Sequence, residues 1–177
     1  MPLSKRNLRN MLGDMDAPEL RALIEDLFAA STDNKRLLTA KLEGDTSELL
    51  SKFQSELEKA FRVSGRLPTM KVGGAKKALG AYIKVAAPTQ ALDAELQYVE
   101  AGVRCLHAYG DWPENNYNSM EGVFEQALKR AAGLPRDQIP FERLRQLVKE
   151  ADSFGYGFSD QLADLYGSFL EVLDEKA

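Results

Sequence analysis

The sequence contains one cysteine and one histidine, Cys105 and His107, in 177 residues. A single cysteine excludes an intramolecular disulfide, and the two residues together supply only half of the ligands of a closed zinc site. Two residues that are two positions apart on a helix point about 200° away from each other, which prevents a Cys–His nucleophilic pair. We therefore interpret Cys105 as a core residue and His107 as its flanking residue, and we expect no metal and no cofactor.

Long hydrophobic runs are also lacking. No uninterrupted apolar run approaches the ~20 residues that are needed to span a bilayer. The N-terminal sequence Met-Pro-Leu-Ser-Lys-Arg is charged and has no apolar stretch of the kind found in secretion signals. With one cysteine, a reducing compartment is the default expectation. The sequence thus predicts a cytoplasmic protein without a membrane partner.

Residues 59–92 lack acidic side chains, although the chain as a whole carries a formal net charge of -4. Residues 1–58 carry 8 basic and 11 acidic side chains, and residues 93–177 carry 8 basic and 16 acidic ones. The middle segment carries 7 basic side chains, which are Lys59, Arg62, Arg66, Lys71, Lys76, Lys77 and Lys84.

Two interpretations of these cations remain open, and the first six are the candidate anion-binding residues. The cations either neutralise the acidic C-terminal helices of the same molecule or bind an external anion, including nucleic acid. Gly73 and Gly74 precede a predicted helix, whose positive end would favour phosphate. Aromatic residues are scarce in the segment, so stacking on single-stranded bases is not indicated.

Apolar residues recur at spacings of three and four along the whole chain, whereas the alternation typical of strands is nearly absent. This pattern predicts an all-α fold of about nine helices in antiparallel pairs, arranged as an irregular bundle or a short α-solenoid-like array. We expect a single domain, 1–177, with a possible division at 66–74 that separates helical hairpins in 1–65 from a bundle in 75–177. Pro68 and the adjacent glycines indicate a loop and a candidate hinge there.

Capping residues predict where several helices begin. Asp16 followed by Glu19 has the spacing of a capping box. Asn118 with Glu121 repeats that spacing, so we expect a helix to begin at Asn118. Asp33 is the expected cap of the third helix.

Aromatic and polar residues are concentrated between Tyr109 and Asn118. This candidate partner or ligand loop contains Tyr109, Asp111, Trp112, Asn116, Tyr117 and Asn118. Aromatic rings give contact area and amides give direction, so such a loop can recognise a peptide or a small ligand. The alternative is structural, with Asn118 as a helix cap and the aromatic rings packed over helix ends.

Pairs of acidic residues at helical spacing occur at Glu121 with Glu125 and at Asp160 with Asp164. Such pairs can hold a divalent metal or share a proton. The Glu-x-x-His signature of di-iron bundles is missing, and acidic residues are abundant in this half of the chain. We interpret both pairs as solvated helix faces and identify no catalytic residues.

Four short segments are distinctive when taken together. They are 98–102 (Tyr-Val-Glu-Ala-Gly), 109–111 (Tyr-Gly-Asp), 117–121 (Tyr-Asn-Ser-Met-Glu) with Phe124 and Ala127, and 155–158 (Gly-Tyr-Gly-Phe) before Leu162, Asp164 and Tyr166. In these segments the chain resembles a family of small bacterial proteins catalogued as a domain of unknown function. The chain departs from that pattern at Ser159, where relatives often carry histidine. The resemblance implies a helical fold in bacteria and brings no activity with it.

Amphipathic helices without a catalytic constellation favour a non-enzymatic binding module. Its groove between helix pairs would hold a protein partner or a second copy of the chain. The alternative is an anion or nucleic-acid binder that uses the basic segment 59–84. A third hypothesis is a hydrolase or metal enzyme that uses Asp111 and Asn118 with Glu100 or Glu121.

Overall fold

The computed structural model describes residues 3–110, 112–152, 154–155 and 157–175. Within these ranges the chain forms nine α-helices, one short 3₁₀ helix at Arg136–Gln138 and no strand, which confirms the predicted all-α class. None of these helices combines the length and the apolar character that crossing a bilayer requires. The α-helices are α1 (Lys5–Asp14), α2 (Ala17–Ala30), α3 (Thr32–Glu43), α4 (Ser47–Phe61), α5 (Val72–Tyr82), α6 (Pro88–Tyr109), α7 (Glu114–Ala131), α8 (Phe141–Ala151) and α9 (Phe158–Asp174).

The chain divides into two compact units, Met1–Thr46 and Ser47–Ala177. The first unit contains α1 to α3, and the second contains α4 to α9. The segment 66–74, where the sequence predicts a possible division, lies inside the second unit and connects α4 to α5. These two helices pack on each other, so the loop signals of this segment mark a connection within a compact unit.

In the first unit, α2 and α3 pack as a helical hairpin. The backbone amide of Asn34 donates to Ser31 Oγ (3.1 Å), and Asn34 Nδ2 donates to the Leu27 carbonyl (2.7 Å). Ser31 therefore caps α3, and the prediction of Asp33 as its cap was wrong by two residues. The short Ser31 hydroxyl reaches the first free amides of α3.

The capping box at the start of α2 is confirmed. The Glu19 amide donates to Asp16 Oδ1 (2.9 Å), and the Asp16 amide donates to Glu19 Oε2 (2.8 Å). Both bonds satisfy backbone groups that have no partner inside the helix.

Helix α6 is the central helix of the second unit. It packs on α4, α5, α7 and α8, while α9 packs on α7 and α8. Twelve of its 22 residues are buried. A helix with buried residues around much of its circumference belongs in the middle of a bundle.

Gly102 allows α7 to approach α6 closely. A Cβ at this position would lie 2.0 Å from Met120 Sδ and 3.2 Å from Trp112 Cη2. Near this contact, the Tyr98 hydroxyl and Ser119 Oγ share a buried hydrogen bond of 2.8 Å. The α6–α7 interface thus depends on a position without a side chain.

The prediction that a helix begins at Asn118 was wrong. Helix α7 begins at Glu114 after Pro113, whose φ of -58° and ψ of 139° suit the residue before a helix. Asn116, Tyr117 and Met120 are buried at helical spacing within this early part of α7. The buried face starts about one turn earlier than predicted. The prediction missed this turn because one of its buried residues, Asn116, is polar.

Candidate interaction surfaces

The first unit leaves most of its large apolar side chains exposed. In the described part of this unit, Ala40 is the only buried residue. Seven large apolar side chains are exposed, and they are Leu3, Leu8, Met11, Ile24, Leu27, Phe28 and Leu42. Single exposed apolar residues are ordinary, but a concentration of this kind makes the unit a candidate for binding another apolar surface. We call these seven residues the N-terminal apolar surface.

Helix α2 carries the most regular part of the N-terminal apolar surface. Ile24, Leu27 and Phe28 are three and four residues apart and therefore lie on one face of the helix. Ala22 and Ala29 lie on the opposite face, because they are separated from Ile24 by about 200° and 140°. One face of α2 is therefore apolar and exposed.

The six candidate anion-binding residues lie at the end of α4, in the connection to α5 and in α5 itself. Lys59 belongs to α4, and Lys76 and Lys77 belong to α5. Arg66 and Lys71 lie in the connection and are exposed, whereas Arg62 is half-buried. We call residues 62–71 the basic connection.

In the described part of the chain, no ion pair within 4 Å joins these cations to an acidic residue of α6 to α9. In the ranges that the structure describes, Lys59 pairs with Glu56 of its own helix (2.6 Å), and the other cations of 59–84 form no ion pair within 4 Å. Helix α6 packs on both α4 and α5, but its acidic residues are bonded elsewhere. Glu95 binds Arg130, and Asp93 and Glu100 bind Arg143.

The positive end of α5 lies next to a carboxylate of the chain itself. A Cβ on Gly74 would lie 2.6 Å from Glu56 Oε2, so this carboxylate lies against the first turn of α5. An anion at a helix N-terminus is stabilised by the free amides and the helix dipole. The Glu56 carboxylate thus lies at the helix end where the sequence predicts that phosphate would be favoured. The same carboxylate forms the ion pair with Lys59.

The predicted ligand loop contributes mainly to the core. Trp112, Asn116 and Tyr117 are buried, whereas Tyr109 and Asn118 are exposed. The sixth candidate, Asp111, lies outside the described residues. The Trp112 ring packs 5.5 Å from Phe61 and 5.7 Å from Tyr117, measured between ring centroids. The aromatic rings of Trp112 and Tyr117 thus belong to the core, whereas Asn118 lies inside α7 and does not cap it.

Asn116 connects α7 to the basic connection. Its Nδ2 donates to the Met70 carbonyl (3.1 Å), and the side chain is buried. Met70 has a φ of 53°, and no other non-glycine residue in the described ranges has a positive φ. The backbone amides of Thr69 and Met70 also donate to the Lys59 and Ala60 carbonyls at the end of α4 (3.0 and 3.2 Å). No local sequence pattern signals these contacts, because Asn116 and Met70 are 46 residues apart.

A polar cleft of about 370 Å³ lies between α6 and α8. In it, Arg143 Nε and Nη2 donate to the two oxygens of Glu100 (2.5 and 3.0 Å), and Nη1 donates to Asp93 (2.6 Å). The hydrogen bonds with Glu100 raise the pKa of Arg143 above its ordinary value. Because Glu100 is fully engaged by a guanidinium, the cleft does not present it as a free general base. The lining residues are Glu100, Arg104, Arg143, Gln146, Leu147 and Glu150.

Cys105 and His107 lie apart, as the helical spacing indicates. Cys105 is completely buried, and burial raises the pKa of its thiol. His107 is exposed, and its Nε2 forms a hydrogen bond of 2.9 Å with the Glu150 carbonyl at the end of α8. A buried, protonated thiol is a poor nucleophile.

The paired carboxylates differ from each other. Burial raises the pKa of Glu121, which is half-buried, whereas Glu125 forms an ion pair of 2.5 Å with Lys129. Asp160 and Asp164 are exposed on α9. Among the residues that the structure describes, no three His, Cys, Asp or Glu side chains are grouped so that they could hold a metal.

Comparison of the chain with protein-family models, with curated protein sequences and with solved structures gives no match. The resemblance to a bacterial family of unknown function therefore stays a prediction.

Proposed function

We propose that the protein is a non-enzymatic helical module that associates with a second copy of itself through the N-terminal apolar surface. One observation carries this proposal: the first unit exposes seven large apolar side chains, six of them on its three helices, and buries a single alanine in its described part. Amphipathic helices bind partners by laying such a face against another apolar face. The favourable free energy of such an association comes from apolar area that is removed from water.

The small size of the first unit favours self-association. Units of fewer than about 70 residues bury little surface, and disulfides, metals or oligomerisation often supplement their cores. Residues 1–46 contain no cysteine and no histidine, which leaves the unit without a disulfide and without the usual zinc ligands. A second copy supplies apolar surface of the same kind.

The charges of α1 and α2 are complementary, which favours a second copy over an unrelated partner. In a two-fold symmetric interface, α1 of one copy can face α2 of the other. Helix α1 carries three basic residues and one acidic residue, and α2 carries three acidic residues and one basic residue. These residues are Lys5, Arg6, Arg9 and Asp14 in α1, and Glu19, Arg21, Glu25 and Asp26 in α2.

The test is the molar mass of the full chain across a range of concentrations, measured by light scattering after size exclusion. We expect a dimer that dissociates on dilution. Ile24→Glu with Leu27→Glu places two charges on the apolar face of α2 and should yield a monomer. Ala22→Glu with Ala29→Glu adds the same charges to the opposite face and should leave the dimer intact. A wild-type chain that is monomeric at all concentrations, or control variants that dissociate equally, would refute the proposal.

The complementary charges provide a separate test. Arg9 and Glu25 each lie one position after an exposed apolar residue, so each lies about 100° around its helix from the apolar face. Arg9→Glu should weaken the dimer several-fold at low salt, and adding Glu25→Arg should restore it. If the double variant associates no better than the single one, α1 does not face α2 of the partner.

The second candidate function is anion binding through the basic segment 59–84. The observation that favours it is that five of its seven cations are exposed and form no ion pair within the described ranges, namely Arg66, Lys71, Lys76, Lys77 and Lys84. Affinity for a polyanion should then fall steeply with salt. Filter binding of duplex DNA at two salt concentrations, with wild type and with Arg66→Glu and Lys76→Glu together, tests this candidate. Binding that survives the charge reversals would eliminate the segment.

A further inference from the structure

The basic connection exposes aliphatic side chains among its cations. Leu67 is 77% exposed and Val63 is 48% exposed. Leu67 directly follows Arg66 and lies four residues before Lys71, in a stretch of the chain without acidic residues. Isolated exposed aliphatic residues need no explanation, but an exposed leucine flanked by cations that have no ion pair among the described residues is a specific combination.

The basic connection is held in one shape from both sides. Its end is hydrogen-bonded to the last turn of α4 through Thr69 and Met70, and the buried amide of Asn116 binds the Met70 carbonyl. The positive φ of Met70 costs free energy, and it persists because these contacts fix the backbone. A preorganised loop loses less conformational entropy on binding than a flexible one.

Cations beside an exposed leucine favour one kind of anionic partner over another. Phosphate groups of nucleic acid attract the cations but gain little from an aliphatic side chain. Proteins that bind single strands use aromatic rings for stacking, and the aromatic residue of the adjacent helix, Tyr82, is buried. An anionic lipid surface attracts the cations through its headgroups and also accepts an aliphatic side chain at its acyl boundary.

We propose that the basic connection docks on the surface of an anionic lipid bilayer, with Leu67 inserted between headgroups and with Arg66, Lys71 and Lys76 beside them. This inference deepens the anion-binding candidate and is independent of self-association. It departs from the expectation of no membrane partner, which rested on the lack of a spanning segment. Surface docking needs no such segment.

The test is co-sedimentation of the full chain with phosphatidylcholine vesicles, prepared with and without phosphatidylserine, at low and physiological salt. We expect binding only to vesicles with phosphatidylserine, and weaker binding at the higher salt because the headgroup charges are screened. Arg66→Glu with Lys76→Glu should lower the partition coefficient by roughly 30-fold or more. Leu67→Ser should lower it by about tenfold.

Two control variants match these changes. Lys41→Glu with Lys149→Glu alters the net charge equally at exposed positions outside the segment, and should change binding by less than about threefold through long-range charge alone. Leu170→Ser removes a partly exposed leucine from α9 and should leave binding unchanged. Circular dichroism of every variant verifies folding.

Two outcomes would overturn the lipid proposal. The first is sedimentation that does not depend on phosphatidylserine. The second is lipid binding that is unchanged by Leu67→Ser while duplex DNA binds with the same salt dependence, which would identify a general polyanion site. The variant Ile24→Glu with Leu27→Glu separates the two proposals when its co-sedimentation is measured in parallel at saturating lipid. Self-association and vesicle binding use different surfaces, so a dimer can form whether or not the protein binds vesicles.

Discussion

Arg130 of α7 forms two hydrogen bonds with Glu95 of α6, with Nε 2.8 Å from Oε2 and Nη2 2.9 Å from Oε1. Glu95 is 1% exposed, so the guanidinium replaces the water that this carboxylate would otherwise bind. The hydrogen bonds raise the pKa of Arg130 above its ordinary value. The pair fixes the central helix of the second unit against its neighbour.

Removing Arg130 should destabilise the second unit strongly. Arg130→Met leaves the Glu95 carboxylate buried without its partner, and we expect a loss of about 3 to 5 kcal/mol in the free energy of unfolding. Adding Glu95→Leu removes the buried charge and should restore most of that loss. Lys129→Met, which breaks the exposed pair with Glu125, is the control and should cost at most about 1 kcal/mol. Urea denaturation followed by circular dichroism measures all four proteins, and equal losses for Arg130→Met and Lys129→Met would contradict the prediction.

Gly102 should not tolerate even one methyl group. Gly102→Ala places a Cβ where Met120 Sδ lies, and we expect a loss of about 1 to 3 kcal/mol from overpacking. Gly167→Ala is the matched control in α9, where a Cβ meets nothing within 4 Å. That substitution should stabilise the protein by up to about 1 kcal/mol, because alanine favours helix more than glycine does. Thermal melts compare the two, and a stabilising Gly102→Ala would show that the Met120 side chain or α7 can move away at little cost.

The helical class and the start of α2 follow from local sequence. Spacings of three and four residues predict about nine helices because each helix must bury one face. The capping box at Asp16 and Glu19 is predictable because both of its hydrogen bonds join residues three positions apart. Such features need no knowledge of the tertiary structure.

Long-range contacts explain where sequence interpretation fails. Arg130 and Glu95 are 35 residues apart, and neither residue signals its partner. Asparagine is common in turns, and the sequence around Asn116 therefore predicts a loop, yet its amide is buried against the Met70 carbonyl. The loop signal at 66–74 is genuine, but backbone hydrogen bonds to α4 and the packing of α4 on α5 place this segment inside one unit.

Whether the cations of the basic segment pair with acidic residues of the same chain also depends on long-range contacts. The sequence allows its cations to pair with later acidic residues, and the abundance of those residues favours such pairing. In the structure, Arg130 and Arg143 bind the carboxylates of α6, the helix that packs on α4 and α5. Competition between cations for a carboxylate is decided by three-dimensional placement, which composition does not reveal.

Glu121 should make stability depend on pH. Burial raises the pKa of its carboxyl above the ordinary value of 4.5, so folding favours the protonated form. The contribution of protonated Glu121 to the stability of the fold is therefore fully present below the ordinary pKa. It is lost as pH rises through the raised pKa of the folded state. Glu121→Gln should be more stable than wild type at neutral pH and equally stable in acid. Glu171→Gln, at an exposed position on α9, should show no such difference between the two pH values.

The Cys105 thiol should report the opening of the second unit. It is completely buried and its pKa is raised by burial, so we expect a disulfide reagent to label it slowly in native buffer and at once in urea. Because labelling requires opening of the unit, Arg130→Met should accelerate it. The acceleration should be roughly 100-fold or more if the free energy of unfolding falls by about 3 kcal/mol and the labelling rate is proportional to the open population. The variant Ile24→Glu with Leu27→Glu alters only the first unit and should label at the wild-type rate. Prompt labelling of the folded wild-type protein would show that the core around Cys105 opens without unfolding of the unit.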